Sequence, residues 1–150
     1  MRVTLARWLP ALAACVLSAS WALGAVSDSQ PVLTQDEILG TWSNHNGSTI
    51  TFTSYTNFTA VAIDLTAGNP AGPQDCDSVT GSGIWEFLSP EGDSAGGGYP
   101  QGNQIWLQFR QSPECDAQLD TWEINPPVGL CLSFDPDTPC SSASPWTKES

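Results

Sequence analysis

From residue 38 onward, hydrophobic and polar residues alternate in short runs instead of recurring every three or four positions. In the clearest run, Ile50 and Phe52 share one face of an extended chain, while Thr49, Thr51 and Thr53 share the other. A period of two, with many β-branched and aromatic residues, is typical of half-buried β-strands. The pattern predicts eight strands, at 39–43, 48–54, 57–64, 79–88, 103–110, 118–125, 128–134 and 144–148.

The segments between these strands carry turn residues. Asn46-Gly47 separates the first two strands and is a strong hairpin signal. The longer links are rich in glycine and proline. The one helix-like stretch is 34–39, where Thr34 could cap a single turn together with Glu37 three positions later.

Sequential strands with short links predict an all-β fold. We expect an antiparallel up-and-down meander of seven or eight strands that closes, wholly or partly, into a barrel, because closure removes exposed strand edges. A two-sheet β-sandwich is the alternative. The domain occupies 36–150, after a polar lead-in at 26–35.

Residues 1–25 have the features of a secretory signal peptide. Arg2 and Arg7 precede an apolar run that ends in small residues, with acceptable cleavage points after Gly24 or Ala25. The run is shorter than a membrane span of roughly 20 residues, although a retained membrane anchor is the alternative. We therefore expect a secreted, extracellular protein.

A second route to export is lipidation. The residues Leu12-Ala13-Ala14-Cys15 resemble a bacterial lipobox, in which the cysteine is acylated. In that case the protein would be anchored to the cell membrane through Cys15.

The net negative charge excludes some classes of binding partner. Removing the two arginines of the leader leaves two basic and 16 acidic residues, so the net charge moves from −12 to −14. Such a surface repels nucleic acid phosphates and anionic lipid headgroups, so we expect neither as a partner. Solubility outside the cell or a basic partner would each account for the charge.

The remaining four cysteines predict two disulfides, because exported thiols meet an oxidising compartment. Of three possible pairings we favour Cys76–Cys115, which joins two loops, and Cys131–Cys140, which closes a turn. Metal-type CxxC spacing is absent, so a structural zinc site is not expected.

The first predicted hairpin resembles a known binding family. The run from Gly40 to Thr49, Gly-Thr-Trp-Ser-Asn-His-Asn-Gly-Ser-Thr, is similar to the opening hairpin of avidin and streptavidin. That resemblance implies a ligand role for Asn44 and Ser48, since the family uses these positions to contact the ureido group of biotin. Gly-x-Trp on a first strand is also shared with lipocalin-like barrels, where the tryptophan plugs the barrel floor.

A longer resemblance links both ends of the chain to small exported β-proteins of actinobacteria. It is carried by the Gly-Thr-Trp opening, by Gly81-Ser82-Gly83-Ile84-Trp85, and by the ending that runs from Leu130 to Cys140. It implies export and a β fold, and it brings no activity with it.

Acidic residues offer two kinds of chemistry. Glu86, Asp120 and Glu123 lie on predicted strands and would be the carboxylates of a hydrolase, although Asp120 and Glu123 should point to opposite faces. If Cys76 pairs with Cys115, four flanking carboxylates meet, and calcium could bind there; these are Asp75, Asp77, Glu114 and Asp116. The single histidine, His45, lies at the predicted hairpin turn and suits no catalytic triad.

Tryptophan is the most promising binding chemistry, because its flat ring suits an apolar or sugar-like ligand. The function we expect is therefore a non-enzymatic binding module without a cofactor. An inhibitor of an extracellular hydrolase is the alternative, and a carboxylate-dependent hydrolase is a third hypothesis. The candidate ligand-binding residues are Trp42, Asn44, Ser48, Trp85, Trp106 and Trp122.

Overall fold

The computed structural model describes residues 30–54, 56–66, 74–88, 98–123, 128–133, 140 and 145–150. Its elements are β1 Leu33–Thr34, α1 Gln35–Ile38, β2 Gly40–Ser43, β3 Thr49–Phe52, β4 Asn57–Ile63, β5 Val79–Phe87, β6 Gln101–Gly102, β7 Gln104–Phe109, β8 Ala117–Glu123, β9 Val128–Leu132 and β10 Trp146–Lys148. Eight antiparallel strands close into a barrel in the order β2-β3-β4-β5-β7-β8-β9-β10, and β10 pairs back onto β2. The predicted all-β meander barrel is confirmed.

The barrel strands lie where alternating polarity predicted them, within two or three residues at each end. The short pair of β1 and β6 was not predicted, because two residues per strand carry no readable period. The predicted turn of helix at 34–39 is confirmed as α1, with the capping box between Thr34 and Glu37.

Aromatic side chains occupy the barrel interior. Trp85 makes edge-to-face contacts with Phe52 and Phe87, each with ring centroids 5.3 Å apart, and Phe58 meets Phe109 in the same way at 5.0 Å. All five rings are buried, and each contributes roughly 1.5–3 kcal/mol by leaving water. The interior of the barrel is therefore a packed core.

The segment before β2 covers one end of the barrel. Leu33 and Ile38 are buried against the core, and the Thr121 hydroxyl donates a hydrogen bond to the carbonyl of Pro31. The Lys148 ammonium donates to the Glu37 carbonyl at 2.7 Å. Residues 30–35, predicted as a lead-in, thus pack onto the barrel.

Both predicted disulfides are confirmed. Cys76–Cys115 joins two 3-10 turns, Gln74–Cys76 and Pro113–Cys115, and Cys131–Cys140 links β9 to a residue eight positions after its end. Their sequence separations are 39 and 9. Loops of these lengths correspond to about 4 and about 3 kcal/mol of stabilisation through the unfolded chain.

Two disulfides are consistent with an extracellular protein. In the part of the chain that the structure describes, no helix is long and apolar enough to cross a membrane. The predicted signal peptide at 1–25 and the lipidation site at Cys15 lie outside the described residues.

Candidate functional site on the outer face of the barrel

The outer face of β5, β7 and β8 carries one tryptophan surrounded by polar side chains. Trp106 is directly opposite Glu86 on β5 and Gln118 on β8. Gln104 and Gln108 lie two positions before and after it on β7, so they share its face. We call these five residues the Trp106 platform.

Alternation along β7 explains why Trp106 faces outward. Ile105, Leu107 and Phe109 are buried in the core, so the residues between them point away from it. Trp106 is half-buried by its neighbours instead of by the core. The alternation in the sequence by itself places Trp106 and Gln108 together on the face opposite Ile105.

A shallow groove runs beside the tryptophan. Its volume is about 250 Å³, and its walls are formed by Ile84, Trp85, Glu86, Trp106 and Gln108. Ile84 is 44% exposed, so the groove has an apolar edge next to the polar side chains. It therefore offers an aromatic face, an apolar edge and hydrogen-bonding groups in one place.

A carboxylate holds one of the platform's amides in place. The Gln118 Nε2 donates to Oδ1 of Asp120 at 3.2 Å. An amide whose nitrogen donates to a carboxylate directs its carbonyl oxygen away from that negative charge. Beside Trp106, the Gln118 amide therefore presents an acceptor.

Two carboxylates near the platform lie in unusual surroundings. Asp120 is 1% exposed although it lies on the outer face of β8, opposite Cys131. Burial raises the pKa of Asp116; the hydrogen bond from Gln108 opposes this change, and the nearby Glu114 carboxylate adds to it. Among the residues that the structure describes, the buried Oδ1 of Asp116 has no hydrogen-bond partner.

The six predicted ligand-binding residues lie in three separate places, and only Trp106 belongs to the platform. Trp42 and Trp85 are core residues, and their indole nitrogens donate to the carbonyls of Ile38 and Ser54 at 2.8 Å each. These two rings point into the barrel and are covered on all sides.

Asn44 and Ser48 close the hairpin turn between β2 and β3. The Asn44 Oδ1 accepts from the backbone nitrogens of Asn46 and Ser48, both at 3.0 Å. The Ser48 hydroxyl donates to the carbonyl of Ala62 at 2.6 Å, and Ser48 is buried. In this structure both side chains of the avidin-like motif bind backbone.

Trp122 lies on the same outer face as Trp106 but further along β8. It is 41% exposed and is opposite Gly129 on β9. Four positions separate it from Gln118, so strand geometry places it about 14 Å from Trp106. One sugar unit cannot touch both rings.

The acidic residues predicted to bind calcium flank the Cys76–Cys115 disulfide. Among the residues that the structure describes, no group of three or more histidine, cysteine or acidic side chains could hold a metal ion. This includes the four carboxylates beside Cys76–Cys115, of which Asp75, Asp77 and Glu114 are exposed. Calcium binding at these residues remains a prediction.

The three candidate hydrolase carboxylates lie at different places on β5 and β8. Strand register separates the backbone positions of Glu86 and Asp120 by about 12 Å. Glu123 is exposed at the end of β8, and His45 lies exposed in the β2–β3 turn.

Two features of the platform could not be predicted from the sequence. Neither the pairing of Trp106 with Glu86 and Gln118 nor the anchoring of the Gln118 amide follows from periodicity, because both need the strand register. The sequence pattern that could have pointed to the platform is an outward tryptophan with polar residues two positions to either side. It is the run Gln104-Ile105-Trp106-Leu107-Gln108. No family model, curated protein or solved structure matches the chain.

Proposed function

We propose that this protein is an exported, non-enzymatic binding module that holds a sugar-like ligand on the Trp106 platform. The observation that supports this proposal most directly is a half-buried indole on an open sheet face, surrounded by one carboxylate and three amides. Sugars present an apolar C–H face that stacks on aromatic rings and hydroxyl groups that bind amides and carboxylates.

The outer face suits this role better than the barrel interior. The interior is filled by Trp42, Trp85 and several phenylalanines, so a ligand there would have to displace core side chains. Core packing is dense, and expelling a buried aromatic ring costs about 3–5 kcal/mol. The groove beside Trp106 needs no such rearrangement.

Export fits the same function. The disulfides suit an oxidising compartment, and polysaccharides are abundant outside cells. The actinobacterial resemblance and the signal-like residues 1–25 support the same location.

Binding to an array of immobilised glycans, followed by calorimetric titration of the positive ones, tests the proposal. Trp106→Ala should weaken binding at least about tenfold, as loss of a central aromatic anchor does. Trp122→Ala makes the same chemical change on the same outer face, about 14 Å away, and should leave binding of a short oligosaccharide within about twofold.

Two results would overturn the proposal. One is equal weakening by the two tryptophan substitutions, which would show that binding does not centre on the platform. The other is an absence of glycan binding together with loss of an extracellular hydrolase's activity on mixing, which would make the inhibitor hypothesis the better one.

A further inference from the structure

The charged group of the Trp106 platform is negative and accepts hydrogen bonds. Glu86 is a carboxylate directly opposite the indole. Gln118 donates its amide nitrogen to Asp120 at 3.2 Å, so its carbonyl oxygen remains for a ligand. A ligand that supplies hydrogen-bond donors therefore suits both groups.

Basic side chains do not offset this negative character. Of the four in the chain, Arg2 and Arg7 belong to the predicted leader. Arg110 lies four positions along β7 from Trp106 and donates to the Asn57 side chain at 2.8 Å. Lys148 is bound to the carbonyl of Glu37 at the covered end of the barrel.

We propose, resting on the function proposed above, that the Trp106 platform selects amino-sugar chains whose amines are free and protonated, over neutral or acidic chains. A protonated amine offers three donors and a positive charge. An ammonium near an indole face gains a cation–π attraction, and Glu86 beside it adds an ion pair.

The sugar ring and its hydroxyl groups make the remaining contacts with the platform, beside those of the amine. The C–H face of the ring stacks on Trp106 while hydroxyl groups donate to Gln108 and Gln118. The net charge of −12 favours approach of a cationic chain and disfavours uronic acids. Charge complementarity thus separates the proposed ligand from other glycans of the same shape.

Calorimetry with two chains of equal length tests this selectivity. The probes are β-1,4-linked glucosamine oligomers and their fully N-acetylated counterparts, titrated into the full exported protein. At about 0.1 M salt the free-amine chain should bind about tenfold more tightly. At about 1 M salt, where the Debye length is about 3 Å, the difference should shrink to about twofold.

Glu86→Gln identifies the group responsible. It should narrow the advantage of the free-amine chain over the acetylated chain from about tenfold to about twofold. Glu123→Gln makes the same change in net charge at the exposed end of β8 and should keep the preference. Neither substitution touches the barrel core.

The outcomes separate the two proposals. Equal affinity for the two chains, or equal effects of Glu86→Gln and Glu123→Gln, overturns the selectivity while glycan binding through Trp106 stands. Failure of every glycan to bind in a Trp106-dependent way overturns both.

Discussion

Gly83 occupies the tightest point of the sheet that carries the platform. It lies in β5 between Phe58 on β4 and Phe109 on β7. A Cβ at this position would lie 2.1 Å from the carbonyl oxygen of Gln108 and 2.5 Å from the nearest atom of the Phe58 ring. The carbonyl is backbone, so it can move only with β7. Gly83→Ala should therefore be strongly destabilising.

The loss of stability in Gly83→Ala depends on which groups must move to make room for the added Cβ. Overpacking a core costs typically about 1–3 kcal/mol, and each strained ladder hydrogen bond adds about 1 kcal/mol. We expect a loss of about 3–5 kcal/mol, against a total stability of about 5–15 kcal/mol for a domain.

Gly81 is the matched control on the same strand. Its added Cβ would meet the Gln111 Oε1 at 3.0 Å, and that atom is the far end of a flexible side chain, which accepts a hydrogen bond from the Ser82 backbone nitrogen at 3.3 Å. Gly81→Ala also restricts the unfolded chain, which offsets a small clash by about 0.4–1 kcal/mol. The net change should be within about 1 kcal/mol of zero.

Urea unfolding with the disulfides intact, followed by tryptophan fluorescence, measures both variants. With a slope of about 1–3 kcal/mol per molar urea, Gly83→Ala should lower the midpoint by about 2 M. Failure of Gly83→Ala to fold while Gly81→Ala folds is the extreme of the same result. Midpoints that agree within about 0.3 M would refute the reasoning from close approach.

Two further stability effects follow from individual contacts. Trp146→Phe should cost about 1–2 kcal/mol less than Trp42→Phe. The buried Trp146 indole nitrogen has no partner in the described part of the chain, whereas the Trp42 indole donates to the Ile38 carbonyl. Paired urea titrations check this, and an equal cost would contradict it. Backbone and side-chain hydrogen bonds from Thr34 lower the pKa of Glu37. The stability that the ionised Glu37 side chain contributes is therefore present above the ordinary glutamate pKa and is lost as the pH falls through the lowered pKa. The unfolding midpoints of wild type and Glu37→Gln should therefore differ at neutral pH and converge in acid, and a difference independent of pH would contradict this.

Much of the barrel could be predicted from the sequence because its strands bury one face. A run such as Thr49-Ile50-Thr51-Phe52 has one extended arrangement that hides its apolar residues, so local pattern determines the strand. The same logic placed Trp106 outside and Ile105 inside. The disulfide pairing followed from loop positions.

The candidate site was harder to predict, because the alternation that identifies a strand does not show which strands lie beside it. Trp42 and Trp85 were as attractive as Trp106 in sequence, and only register and burial distinguish a core ring from a surface ring. The opening Gly-Thr-Trp motif has a structural explanation. Gly40 has a φ of +117°, which favours glycine, and it sets the chain's turn into β2 before Trp42 enters the core.

The packed interior has a consequence for how this barrel could acquire a function. A barrel of eight strands is just wide enough for its own side chains, and here aromatic residues take that space. Recognition must then use loops or the outer sheet face, where every second residue is free to vary without disturbing the core. Trp106 lies at such a position, with the buried Ile105 and Leu107 on either side fixing its strand. A stable core therefore supports the platform, and the ligand preference that we propose depends on Glu86 and the amides around Trp106.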